Sequence, residues 1–90
     1  MTDLPPDVHD VLTQLLDETR ERVQAGDSET AHELVKTGAA VTKNEVPSGT
    51  LRARLLHGWV ELPPLVDHDP AVATEYLRSM RRLLDDGEPE

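Results

Sequence analysis

LRARLLHGWVEL, residues Leu51 to Leu62, decides how the rest of the sequence is read. It holds the only tryptophan, Trp59, in a chain with one Tyr and no Phe. Leu51, Leu55, Trp59 and Leu62 recur at helical spacing, and Leu56 and Val60 widen the stripe. An apolar face more than about 100° wide marks a helix pressed between others. Gly58, beside the Trp, has no side chain and lets a neighbouring helix come close. This third helix is expected to be central, with Leu55, Trp59, Leu62 and, on the last helix, Leu77 as core anchors.

Outward from this stretch the pattern is helical throughout. Ser48 is read as its N-cap. Pro63 and Pro64 are read as its end, with Leu65 and Val66 a short apolar linker and His68 in the loop between Asp67 and Asp69. Before it, Pro5 and Pro6 suit a first helical turn, where their missing N–H groups are not needed. Val8, Val11, Leu12, Leu15, Leu16, Thr19 and Val23 then follow the i, i+3, i+4 pattern, and Gly26 stops the helix in the left-handed position. Asp27 caps a second helix whose inner face is Ala31, Leu34, Val35, Gly38, Val41 and Thr42. Gly38 costs about 1 kcal/mol against Ala in a helix interior, so it is expected beneath a bulky neighbour, Trp59. Asp69-Pro70 opens a fourth helix. Its stripe is Val72, Ala73, Tyr76, Leu77, Met80, Leu83 and Leu84, and Gly87 stops it.

The expected fold is all-α: four antiparallel helices, about 6–25, 28–44, 49–62 and 70–86, forming a bundle or two packed hairpins. Residues 1–90 form one domain, with 1–4 and 87–90 as frayed tails. An internal echo supports the hairpins. DSETAHELVKT (Asp27 to Thr37) aligns with DPAVATEYLRS (Asp69 to Ser79), and VLTQLL (Val11 to Leu16) with LRARLL (Leu51 to Leu56).

Composition narrows the chemistry. Asp and Glu number 18 against 9 Lys and Arg, a formal charge of −9, and there is no Cys. Disulfides, iron–sulfur clusters and thiol catalysis are thereby excluded. No apolar run is long enough to span a membrane and no signal segment opens the chain, so a cytoplasmic location without membrane contact is expected. Excess carboxylates keep a protein hydrated in concentrated salt, and their repulsion destabilises the fold when salt is removed.

The side chains that carry chemistry are sparse. Glu29 and His32 form one E-x-x-H pair, where a di-metal helical site needs two. His57 and Glu61, i and i+4, read as a hydrogen bond or ion pair rather than two metal ligands. Ser28, Ser48 and Ser79 serve helix starts and a polar face. The glycines are scattered singly, with no phosphate-cradling loop. No catalytic residue, metal site or cofactor is therefore expected, and the chain is read as no enzyme. Arg78, Arg81 and Arg82, beside Tyr76, form a basic patch on the last helix, and Arg52 and Arg54 another on the third. Nucleic acid is disfavoured by the net charge. The expected activity is protein–protein interaction or self-association as a small subunit. The possible partner surface is Tyr76, Met80 and Leu84 with Arg78, Arg81 and Arg82. The alternative is a nucleic-acid-associated or regulatory factor using the three arginines.

Two resemblances accompany this reading. AGDSETAHELVKTG (Ala25 to Gly38) resembles the second helix of a tetratricopeptide repeat, although the 34-residue spacing and the first-helix Trp–Leu–Gly–Tyr pattern are absent. The whole chain resembles the small acidic helical proteins of unassigned function found in halophilic archaea, in its Lys-poor, Ile-free composition and in blocks such as LRARLLHG and DPAVATEYLRSM. The resemblance implies a halophilic cytoplasm and no particular activity.

Overall fold

The computed structural model describes residues 4–86. Four helices follow one another: α1 Pro6–Gln24, α2 Ser28–Glu45, α3 Thr50–His68 and α4 Pro70–Asp86. Each packs against its neighbours in sequence, and α1 against α4 closes the ring. The result is an up-and-down four-helix bundle, 37 Å long and 19 × 17 Å in section. Helix α3 is pressed between α2 and α4, but α1 is likewise pressed between α2 and α4. The expected centrality of the third helix therefore belongs to Trp59 and not to the helix as a whole. Gly87 and the 88–90 tail, like residues 1–3, lie outside the described residues, whereas Leu4, expected in the frayed tail, is half-buried against the core.

Turn chemistry explains the first hairpin. Gly26 adopts φ +80°, which L side chains rarely do. The Asp27 N–H then reaches the Arg22 carbonyl (2.9 Å) and the Gly26 N–H the Val23 carbonyl (3.1 Å), so α1 ends in a Schellman motif. The Asp27 carboxylate accepts the Thr30 N–H at 3.2 Å and starts α2. That bond, the Thr30 hydroxyl and the nearby Arg22 hold the Asp27 carboxyl below its ordinary value. Asp69 repeats the device for α4, accepting the Val72 N–H at 3.4 Å ahead of Pro70.

Helix α3 departs from expectation at both ends. Gly49 (φ +150°), not Ser48, holds the N-cap position, and no side chain caps it. At the other end Pro63 and Pro64 lie inside the helix, which runs on to His68. The prolines withhold two N–H groups from the carbonyls of Trp59 and Val60, a change that costs about 3 kcal/mol or more in a helix interior. The continuation offsets this. It buries Val66 and half-buries Leu65, which a linker would leave looser. It also presents Asp67 to His32 of α2 at 2.9 Å and lets the Asp69 N–H bond the Leu65 carbonyl at 2.8 Å.

The core runs along the bundle axis through Leu12, Leu16 and Val23, through Ala31 and Val35, through Leu51, Leu55, Trp59, Leu62 and Val66, and through Ala73, Leu77, Met80 and Leu84. All four expected anchors, Leu55, Trp59, Leu62 and Leu77, are buried. The stripes are narrower than expected: Leu34, Val41 and Leu56 are half-buried, Val11 and Val72 are exposed, and Val60 is 69% exposed. Four helices in a ring leave each only one inward quadrant, so residues at the stripe edges face out. The internal echo reappears in part. Ala31 and Val35 are buried in α2 as Ala73 and Leu77 are in α4, at the aligned positions. In α1 and α3 the matching buried pairs are Leu12/Leu16 and Leu51/Leu55, one residue away from the alignment of the sequences.

Candidate functional site

Two close approaches flank α3 and set the shape of the bundle surface. Towards α2, the Trp59 indole lies over Gly38. A Cβ built there would overlap the ring, 2.7 Å from Cε2. The Trp59 N–H donates to the Thr42 hydroxyl at 2.9 Å, and that hydroxyl donates to the Gly38 carbonyl at 2.8 Å. This buried relay gives the indole its partner. Towards α4, the Met80 thioether sits in the notch of Gly58, where a Cβ would lie 2.5 Å from Sδ and 2.9 Å from Cε.

Beside that second contact an open groove of about 600 Å³ runs between α3 and α4. Gly58 and Met80 form its floor. Thr50, Ala53, Arg54 and His57 line the α3 side, and Tyr76, Ser79 and Leu83 the α4 side. The spacing 50, 53, 54, 57, 58 on one helix and 76, 79, 80, 83 on the other is one face of each. The lining is mainly apolar, carries Arg54 and His57, and contains no carboxylate among the described residues, in a chain where acids outnumber bases two to one. The recess between α1 and α2 is different. It is smaller, about 260 Å³, and Glu18, Glu21 and Arg22 line it with Thr30 and Leu34.

The residues singled out from the sequence divide between core, ion pairs and groove. Met80 and Leu84 are core: Met80 is buried and meets the groove only as its floor, and Leu84 is 1% exposed. Tyr76 is half-buried in the groove wall. Arg78 pairs with Glu75 on its own helix at 3.2 Å. Arg81 crosses to α1, where Nη1 lies 3.0 Å from Asp17 Oδ1, and its Nε lies 3.7 Å from Asp85. Arg82 is exposed and makes no ion pair among the described residues. The three arginines are therefore not one free cationic patch. On α3, Arg52 donates to the Lys43 carbonyl at 3.3 Å, at the end of α2, which separates its role from that of Arg54.

The paired-ligand ideas are not assembled by the fold. His32 pairs with Asp67 of α3, while Glu29 is exposed. His57 makes no hydrogen bond or ion pair with Glu61 among the described residues and faces the groove instead. No group of three or more His, Asp or Glu side chains suited to a metal ion occurs among the described residues, and none of the described helices is long and apolar enough to cross a membrane. The groove itself went unrecognised in the sequence. Its signal was present as the i, i+3, i+4 run of Thr50, Ala53, Arg54, His57 and Gly58, a second face of α3 overshadowed by the Leu–Trp face.

No curated protein and no solved structure matches the chain. A family model described as a domain of unknown function matches residues 1–86, nearly the full length, and the chain belongs to that family, DUF8101.

Proposed function

We propose that the chain is a non-enzymatic interaction module or small subunit that works through the α3–α4 face in the cytoplasm of a halophilic archaeon. The observation that carries this reading is the open, mainly apolar groove, with no lining carboxylate among the described residues, on a chain of charge −9. Apolar concavities edged by a few polar groups are where partners dock. Val60 and Val72, both exposed, extend the apolar area beyond the groove. The acidic, Lys-poor composition supports the halophilic setting.

The test compares what co-purifies from the native host, at cytosolic salt, with the parent and with an Ala53→Glu/Val60→Glu variant. Both positions are exposed, so the variant keeps its core. A stoichiometric partner lost from the variant is the expected result. The same partners on both proteins would remove this face from consideration. A nucleic-acid role through Arg78, Arg81 and Arg82 has less support, because Glu75, Asp17 and Asp85 already hold two of the three. Exchanging all three for Gln leaves the interaction unchanged in the proposed reading and abolishes it in the alternative.

A further inference from the structure

We infer that the occupant of the α3–α4 face is a second copy of this chain, docked with its α3 antiparallel to the first so that Arg54 of each copy meets Glu61 of the other. The inference rests on the reading of that face as an interaction surface and names its partner.

The argument begins with spacing. Arg54 and Glu61 are seven residues apart, close to two helical turns, and so lie on one line along the helix. Both are exposed, and neither makes an ion pair within the chain among the described residues. A twofold axis perpendicular to α3, passing between His57 and Gly58, exchanges positions 54 and 61. Opposite charges then face each other twice, the self-complementarity that an isologous contact requires. A parallel arrangement in register would set Arg against Arg and Glu against Glu.

The surroundings favour the same partner. Around the two charges the outer ridge of α3 is apolar and exposed, with Ala53, Val60 and Pro64. The groove beside it, floored by Gly58 and Met80, is a concave seat for such a ridge. Two ridges and two grooves related by a twofold axis fill each other. Electrostatics narrows the choice of face further. Two copies at −9 repel one another, so they meet best where carboxylates are few; none of the described residues lining this groove carries one, and Glu61 beside it is the one matched to Arg54. The α1–α2 recess, with Glu18 and Glu21, is unsuited to the same contact. Exposed ion pairs add little affinity; here they fix orientation, while the apolar ridge supplies the attraction.

Sedimentation equilibrium of the full chain in molar KCl tests the inference. The parent is expected to dimerise, and Arg54→Glu and Glu61→Arg are each expected to weaken the dimer about tenfold or more. General repulsion predicts otherwise. R54E moves the net charge from −9 to −11 and E61R moves it from −9 to −7, so repulsion alone would weaken one dimer and strengthen the other. The double variant R54E/E61R is expected to dimerise like the parent, and R54E mixed with E61R to form a heterodimer. A parent that stays monomeric from micromolar to millimolar concentration overturns the second copy as occupant. It leaves the interaction surface standing, which falls only if the Ala53→Glu/Val60→Glu variant keeps the parent's partners. A dimer indifferent to both single changes, or singles that the double change does not rescue, overturns the Arg54–Glu61 register.

Discussion

Gly58 and Trp59 are neighbours in the chain and face different helices, and the two sides of α3 they build are opposites. On one side α3 contributes the bulk and α2 the notch: Trp59 fills the space over Gly38, and its N–H is tied to Thr42. On the other side α3 contributes the notch and α4 the bulk, as Met80 fills the space over Gly58. The first contact is rigid, fully buried and hydrogen-bonded. The second uses a flexible thioether and leaves a groove at the surface. The same device, glycine against a large side chain, makes a sealed seam with a planar ring and an adaptable one with a linear chain.

That contrast is open to mutation. Trp59→Ala empties the sealed side and is expected to cost about 3–5 kcal/mol, enough to unfold much of so small a domain. Melting within a few degrees of the parent would show that Trp59 is not its keystone. Gly38→Ala forces the indole aside and is expected to cost about 1–3 kcal/mol. Gly58→Ala meets the Met80 side chain from Cγ to Cε, a flexible chain that can swing aside where the indole cannot, and better helix propensity offsets part of the strain, so its effect should be smaller than that of Gly38→Ala, about 1 kcal/mol. Equal losses in chemical denaturation would erase the distinction between the two sides. Thr42→Val keeps the shape but leaves the indole N–H unpaired, at about 1–3 kcal/mol, whereas Thr42→Ser restores the donor's partner. Matching stabilities for the two variants would show that the relay contributes nothing.

The smallest effect expected lies away from α3, at the Asp27 cap. Its carboxyl titrates lower in the folded chain than in the unfolded one. The stabilisation is therefore complete above the unfolded value, near pH 4, and disappears as pH falls through the folded value. The melting gap between the parent and Asp27→Ala should shrink on acidification over that range. A gap independent of pH would assign the cap's effect to backbone conformation alone.

Much of this was legible in the sequence, because local rules decide it. The four helices, the Gly26 turn, the Asp27 and Asp69 caps and the Gly38–Trp59 contact follow from spacing, turn chemistry and size. The rest depends on groups distant in the chain. Pro63 and Pro64 stop a helix by local rules, yet burial of Val66 and the reach of Asp67 to His32, 35 residues away, carry it past them. Val60 matches the periodic stripe but falls outside the quadrant that a four-membered ring encloses. The basic patch dissolved for a similar reason, since Asp17, which holds Arg81, lies 64 residues earlier. The groove needed both helices in place before its lining could be seen as one surface.

The ring of helices has a kinetic consequence. Three of its four interfaces join helices adjacent in the chain and can zip up as soon as each hairpin turns; only the α1–α4 seam must wait for the two ends to meet. That seam is spanned by Arg81 on Asp17 and closed near the chain ends, where His9 lies 3.8 Å from Asp85. The beginning of α1 and the end of α4 thus lie side by side. A chain circularly permuted by a short linker there, and opened at Gly26, would keep all four interfaces while turning the last seam to form into a local hairpin.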